Sequence, residues 1–133
     1  MNKPNLDLLK KELIKYFEKR NEILFAYIFG SQITKKTNKF SDIDIAIYTN
    51  PELIDENDYR YGYKAAILSD LMQILKTNKI DLAILNQATP LLRHRVIYFG
   101  ELIYTDDEKK RISFQVDTIN KYVDYKMLQR KIS

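Results

Sequence analysis

Three aspartates and a Gly-Ser pair hold most of the chemistry that this sequence can offer. Asp42 and Asp44 lie in Asp42-Ile43-Asp44-Ile45-Ala46-Ile47-Tyr48, whose strict alternation is that of a β-strand with Ile43, Ile45 and Ile47 on one face. Both carboxylates then share the other face, with Cα atoms about 6.6 Å apart, and can converge on one cation or a pair of cations. Neighbouring carboxylates repel, and a divalent cation relieves that repulsion better than a lysine because it coordinates several oxygens at once. Mg²⁺ is the natural candidate, since it takes hard oxygen ligands and leaves coordination positions for water and phosphate oxygens.

Taken alone, Asp-Ile-Asp is more often a plain exposed strand face. Gly30-Ser31 shifts the balance, because it ends an apolar run and is separated from the aspartate pair by ten residues. The pattern Gly-Ser-x10-Asp-x-Asp arises by chance in roughly one chain of this length in several hundred. Gly30 permits close approach of backbone to ligand, and the Ser31 hydroxyl with neighbouring amides can donate hydrogen bonds to phosphate oxygens. Asp81 lies in a further alternating segment, where it faces away from Ile80, Leu82 and Ile84.

These residues need a scaffold, and the remaining pattern supplies one in which helices and strands alternate. Leu6, Leu9, Leu13 and Phe17 predict an amphipathic helix over 5–20 with Asn5 as its cap, and Ile23 to Phe29 reads as a buried strand. After the Asn50-Pro51 turn, Tyr59, Tyr63, Ile67, Leu71 and Ile74 predict a long helix over 58–76, with Asp55 or Asp58 capping it. A strand over Ile80 to Leu85 follows. Thr89-Pro90 and Gly100 bracket a short helix, and Leu102 to Thr105 forms a last short strand. Ile112, Val116, Ile119, Val123 and Met127 give the apolar period of a C-terminal helix over about 107–130, with Asp106, Asp107 and Glu108 at its positive end. The expected class is α/β: one domain over 1–133, with a mixed sheet of about four strands and helices packed on it.

Composition narrows the options further. With 45% hydrophobic and 30% charged residues, the 133-residue chain is expected to fold around one core. There is no cysteine, which excludes a thiolate metal site and a cysteine nucleophile and suits a reducing compartment. Asn2, Lys3, Pro4 and Asn5 lack the apolar stretch of a signal peptide, and no run approaches a membrane span, so a soluble cytoplasmic protein is expected. The net charge of +4 mildly favours anionic ligands. His94, the single histidine, sits between Arg93 and Arg95 on a predicted helix, where a solvated surface role is the simpler reading.

In order and spacing, Phe29-Gly30-Ser31, Ser41-Asp42-Ile43-Asp44-Ile45-Ala46 and Asp81-Leu82 resemble the polymerase β type of nucleotidyltransferase, and within it the short minimal nucleotidyltransferase (MNT) branch. The likeness continues through Leu85-Asn86, Pro90-Leu91-Leu92, Val96 to Gly100 and Tyr104. It departs after Ser31: many relatives carry a basic residue and a second glycine there, whereas this chain reads Gln32-Ile33-Thr34-Lys35. Lys35, Lys36 or Lys39 is then the candidate for the positive charge beside the triphosphate.

The resemblance implies two Mg²⁺ ions held by Asp42, Asp44 and Asp81, with Asp81 serving the ion that activates the acceptor hydroxyl or taking its proton. Gly30 and Ser31, together with Asp42 and Asp44, would bind the nucleotide. Within the MNT branch it implies an antitoxin that transfers AMP from ATP to a tyrosine of a HEPN ribonuclease toxin. From its composition, the C-terminal helix over about 107–130 is a candidate partner-binding element: Phe114, Tyr122, Tyr125 and Leu128 lie beyond its one apolar stripe, flanked by Lys121, Lys126, Arg130 and Lys131, a pattern that fits an interface or packing onto the sheet. No stable nucleic-acid binding and no membrane are expected, because nucleic-acid-gripping relatives add further domains. Two alternatives stand beside this: a small-molecule nucleotidyltransferase of the aminoglycoside type, and a non-catalytic antitoxin that acts by binding alone.

Overall fold

The computed structural model describes residues 6–29 and 43–132. Helix α1 (Leu6–Glu18) turns Leu9, Leu13 and Phe17 inward, all of them buried. Strand β1 (Ile23–Phe29) follows after a short turn, and β2 (Ile43–Thr49) pairs antiparallel with it. Two 3-10 turns, Pro51–Leu53 and Glu56–Asp58, lead to helix α2 (Tyr63–Leu75). That helix is the crossover to β3 (Ile80–Ile84), which runs parallel to β2, as a parallel pair requires. A 3-10 turn at Leu85–Gln87 gives way to α3 (Pro90–Phe99), β4 (Glu101–Thr105) and the long C-terminal α4 (Glu108–Ile132). The sheet order is β3-β2-β1-β4, and β4 is antiparallel to β1. It is the mixed four-stranded α/β sheet that the sequence predicts.

Both faces of the sheet are covered, which is why β1 is apolar along its whole length. On one side Ile43, Ile45 and Ile47 of β2 pack with Ile80 and Leu82 of β3 against α1 and against Tyr63, Ile67 and Leu71 of α2. On the other, Phe25 and Tyr27 of β1, Ala46 of β2 and Leu85 meet Val96 of α3 and Phe114 of α4. Phe25 stacks flat on Tyr48, with ring centroids 4.9 Å apart, and Phe114 tilts onto both rings. A register shift between Ile23 and Phe25 moves the strand from one parity to the other, so Ile23 and Phe25 end in different clusters.

The capping signals were informative. The Thr89 hydroxyl accepts from the Leu92 amide at 3.2 Å with Pro90 in the first turn, and the Asp107 carboxylate accepts from the Lys110 amide at 3.0 Å at the start of α4.

One expectation needs correction. The second long helix begins at Tyr63, not at 58: Gly62 has φ +91°, outside the helical region, and Asp55 caps only the 3-10 turn by accepting from the Asn57 amide. Asp58 makes no cap for this helix, and the Glu56 carboxylate instead reaches the Tyr63 amide at 2.9 Å. Tyr59 still packs edge-on against Tyr63, 5.4 Å away, so it keeps the helical spacing without the helix.

In α4, Phe114 and Thr118 are the buried positions, and Tyr122 stacks face to face on His94 at 3.6 Å. The apolar period of Ile112, Val116, Ile119, Val123 and Met127 marks a helix but not its inner face, for these residues are 47% to 55% exposed. The Asn5 cap lies outside the described residues.

Candidate active site

At one edge of the sheet β1 ends while β2 and β3 begin. Phe29 is the register partner of Asp44 on β1, and Asp81 is its partner on β3. The parallel pairing is anchored just before the aspartates, where the Ile43 amide donates to the Lys79 carbonyl at 2.9 Å. Residues opposite one another on adjacent parallel strands point to the same face, and their strands lie about 4.8 Å apart. The neighbours fix which face: Ile43 and Ile45, with Ile80 and Leu82, are all buried in the α1–α2 cluster. Asp44 and Asp81 therefore project together to the other side, Asp44 half-buried and Asp81 exposed.

The sequence placed Asp81 on a later strand, and the structure brings it directly beside Asp44. Asp42, Gly30, Ser31, Lys35, Lys36 and Lys39 lie outside the described residues. Among the described residues no group of three or more His, Cys, Asp or Glu side chains gathers as a metal site. Asp44 and Asp81 are the described oxygen donors of the kind Mg²⁺ takes, and two carboxylates side by side fit a cation that relieves their repulsion.

Two further side chains, Asn86 and Arg93, hold the far ends of the same strands in place. Asn86 accepts from the Thr49 amide at 2.9 Å and donates to the Thr49 carbonyl at 2.8 Å, clamping the end of β2 to the turn after β3. Arg93 of α3 donates to the Leu85 carbonyl at 2.8 Å and the Asn86 carbonyl at 2.9 Å, and lies 5.2 Å from the centre of the Phe114 ring. The clamps fix the β2–β3 register, and with it the pairing of Asp44 and Asp81. An asparagine just after one parallel strand was a visible signal, but its partner could not be read without the pairing.

A cavity of about 450 Å³ opens at the opposite ends of β2 and β3, lined by Thr49, Ile54, Glu56, Lys64 and Asn86 among others. Thr49 is five residues along β2 from Asp44, about 16 Å at strand rise, so this cavity is separate from the carboxylate pair. His94, set aside on sequence grounds, is held between Tyr98 and Tyr122 in an aromatic stack.

Residues 11–109 match the polymerase beta nucleotidyltransferase family, and the chain belongs to that family. No curated protein sequence matches the chain. Solved structures do. A chain of a toxin–antitoxin complex with AMP-PNP is 25% identical, with a TM-score of 0.71 over 92% of this chain and 94% of that one. A chain from a complex of tri-AMPylated Shewanella oneidensis HEPN toxin with MNT antitoxin is 24% identical, with a TM-score of 0.69 over 95% and 93%. A chain of the MntA–HepT toxin–antitoxin complex is 24% identical, with a TM-score of 0.68 over 95% and 94%. The likeness in fold thus runs nearly end to end on both sides. Among the described residues no helix is long and apolar enough to cross a membrane.

Proposed function

We propose that the chain is a Mg²⁺-dependent antitoxin that transfers AMP from ATP to a tyrosine hydroxyl of a cognate HEPN ribonuclease toxin. The observation that carries this reading is the register of Asp44 against Asp81, two carboxylates on one face at the strand ends, inside the stretch that matches the family. Support for the nucleotide and the acceptor comes from the similar structures, one with AMP-PNP and one with a tri-AMPylated HEPN toxin beside its MNT antitoxin. A chain without cysteine that consumes ATP fits the cytoplasm.

In this reading Asp42, Asp44 and Asp81 would hold two Mg²⁺ ions. The ions, when bound, neutralise charge on the triphosphate and make the acceptor hydroxyl easier to ionise. Gly30 and Ser31 would cradle phosphate oxygens, and Asp81, the more exposed partner of the described pair, would serve the ion that activates the acceptor hydroxyl or itself accept its proton. The tyrosine oxygen forms a bond to the α-phosphorus as the bond to the bridging oxygen breaks, and pyrophosphate leaves with that oxygen. The test incubates the chain with labelled ATP, Mg²⁺ and the toxin, and locates the adduct by mass spectrometry. Label on a toxin tyrosine that vanishes with Asp81→Asn is expected; label confined to a small molecule, or toxin silencing that survives loss of all three aspartates, refutes the reading.

A further inference from the structure

The outward stripe of α4 has no role in holding that helix to the sheet. Ile112, Val116, Ile119, Val123 and Met127 follow one another at three- and four-residue steps, a continuous strip about 22 Å long. The helix is anchored through a different face: Phe114 and Thr118 are buried, Tyr122 stacks on His94, and Gln115 donates to the Tyr27 hydroxyl at 3.0 Å. Single exposed apolar residues are ordinary, but five in helical register form a contiguous patch of the kind that marks an interaction surface.

Charge indicates what fits against it. Residues 108–132 carry seven Lys or Arg against three Asp or Glu, a net +4, and the whole chain is also +4, so the remainder is neutral. At 100° per residue Lys109 borders the strip on one side and Glu108 and Lys126 on the other, with Arg130 at its C-terminal end; Glu108 is already paired with Arg111, so the rim is net basic, and Asp117 and Asp124 fall towards the far edge, where Lys121 meets Asp117 at 3.2 Å. A second copy of this chain would press two basic rims together, which like charges penalise. An apolar surface bordered by carboxylates is its complement.

We infer that this strip docks the toxin, which meets it with apolar side chains rimmed by aspartates and glutamates. The partner's identity rests on the antitoxin reading; the surface and its chemistry do not. The test uses the full chain with Val116→Glu and Val123→Glu together, and separately Lys126→Glu, with folding checked by circular dichroism. The double variant should bind the toxin at least a hundredfold more weakly with unchanged affinity for ATP and Mg²⁺. Lys126→Glu should weaken toxin binding several-fold, and less so at high salt.

Wild-type affinity in both variants overturns the inference, as does a wild-type chain that binds no toxin, or one that is a dimer by itself and becomes monomeric with the double variant. Transfer of AMP to the toxin with unchanged binding by the variants refutes the docking surface alone. Strip-dependent binding without any transfer supports the surface and refutes the catalytic reading.

Discussion

Like charges directly opposite one another on neighbouring strands destabilise a sheet, yet Asp44 and Asp81 face each other in register in a sheet whose other paired positions are mostly apolar or small. A fold that is otherwise locally consistent breaks its own rules mainly where function requires it. Asp44 and Asp81 are legible in the sequence because period-two alternation tells which residues share a face. Their adjacency is not, since it depends on which strand pairs with which. Ser31 is the residue on which the nucleotide account can be checked independently. Replacing it by alanine should weaken ATP binding by about 0.5–1.5 kcal/mol for a neutral hydrogen bond, and by up to about 3 for a charged acceptor, with the melting curve unchanged. Calorimetry showing unchanged affinity would leave Ser31 as a turn residue only.

At the scale of elements, α3 and the start of β4 depend on a close approach at Gly100. A Cβ there would stand 2.3 Å from the Val96 carbonyl oxygen and 3.2 Å from that of Ile28. Gly100→Ala should therefore lower stability by about 1–3 kcal/mol in a denaturant titration, through displacement of α3 from β1. A variant as stable as the wild type would mean that the turn relaxes freely. This helix was read correctly at both ends because Thr89, Pro90 and Gly100 act locally. The start of α2 was misread because Tyr59 sits at helical spacing from Tyr63 while Gly62, the residue that breaks the helix, lies between them. In α4, apolar period alone selected Ile112, Val116, Ile119, Val123 and Met127. The buried face includes a threonine and is flanked by polar Gln115, so hydropathy does not mark the inner side.

Across the whole molecule, α1 and α2 are joined by polar groups sunk beside the core. The Tyr16 hydroxyl donates to Asp70 at 2.6 Å, Tyr63 donates to Glu22 at 2.8 Å, and Arg20 donates to the same Glu22 carboxylate at 2.9 Å. Burial raises the pKa of both tyrosines, and the hydrogen bonds to Asp70 and Glu22 raise it further. A raised pKa means that the folded state keeps protons that the unfolded chain releases, so this contribution is fully present below about pH 10 and is lost as pH rises above it. Stability should fall above about pH 10, and Tyr16→Phe with Tyr63→Phe should make that fall shallower. Identical alkaline profiles would contradict the assignment.

The most direct test of the central claim, that paired carboxylates at the strand edge drive nucleotidyl transfer, is the initial rate of pyrophosphate release from ATP with Mg²⁺ and the toxin present. Asp44→Asn and Asp81→Asn should each lower that rate at least about a hundredfold, about 2.7 kcal/mol of transition-state stabilisation, in chains that remain folded and bind the toxin normally. Release at the wild-type rate in either variant would contradict the account.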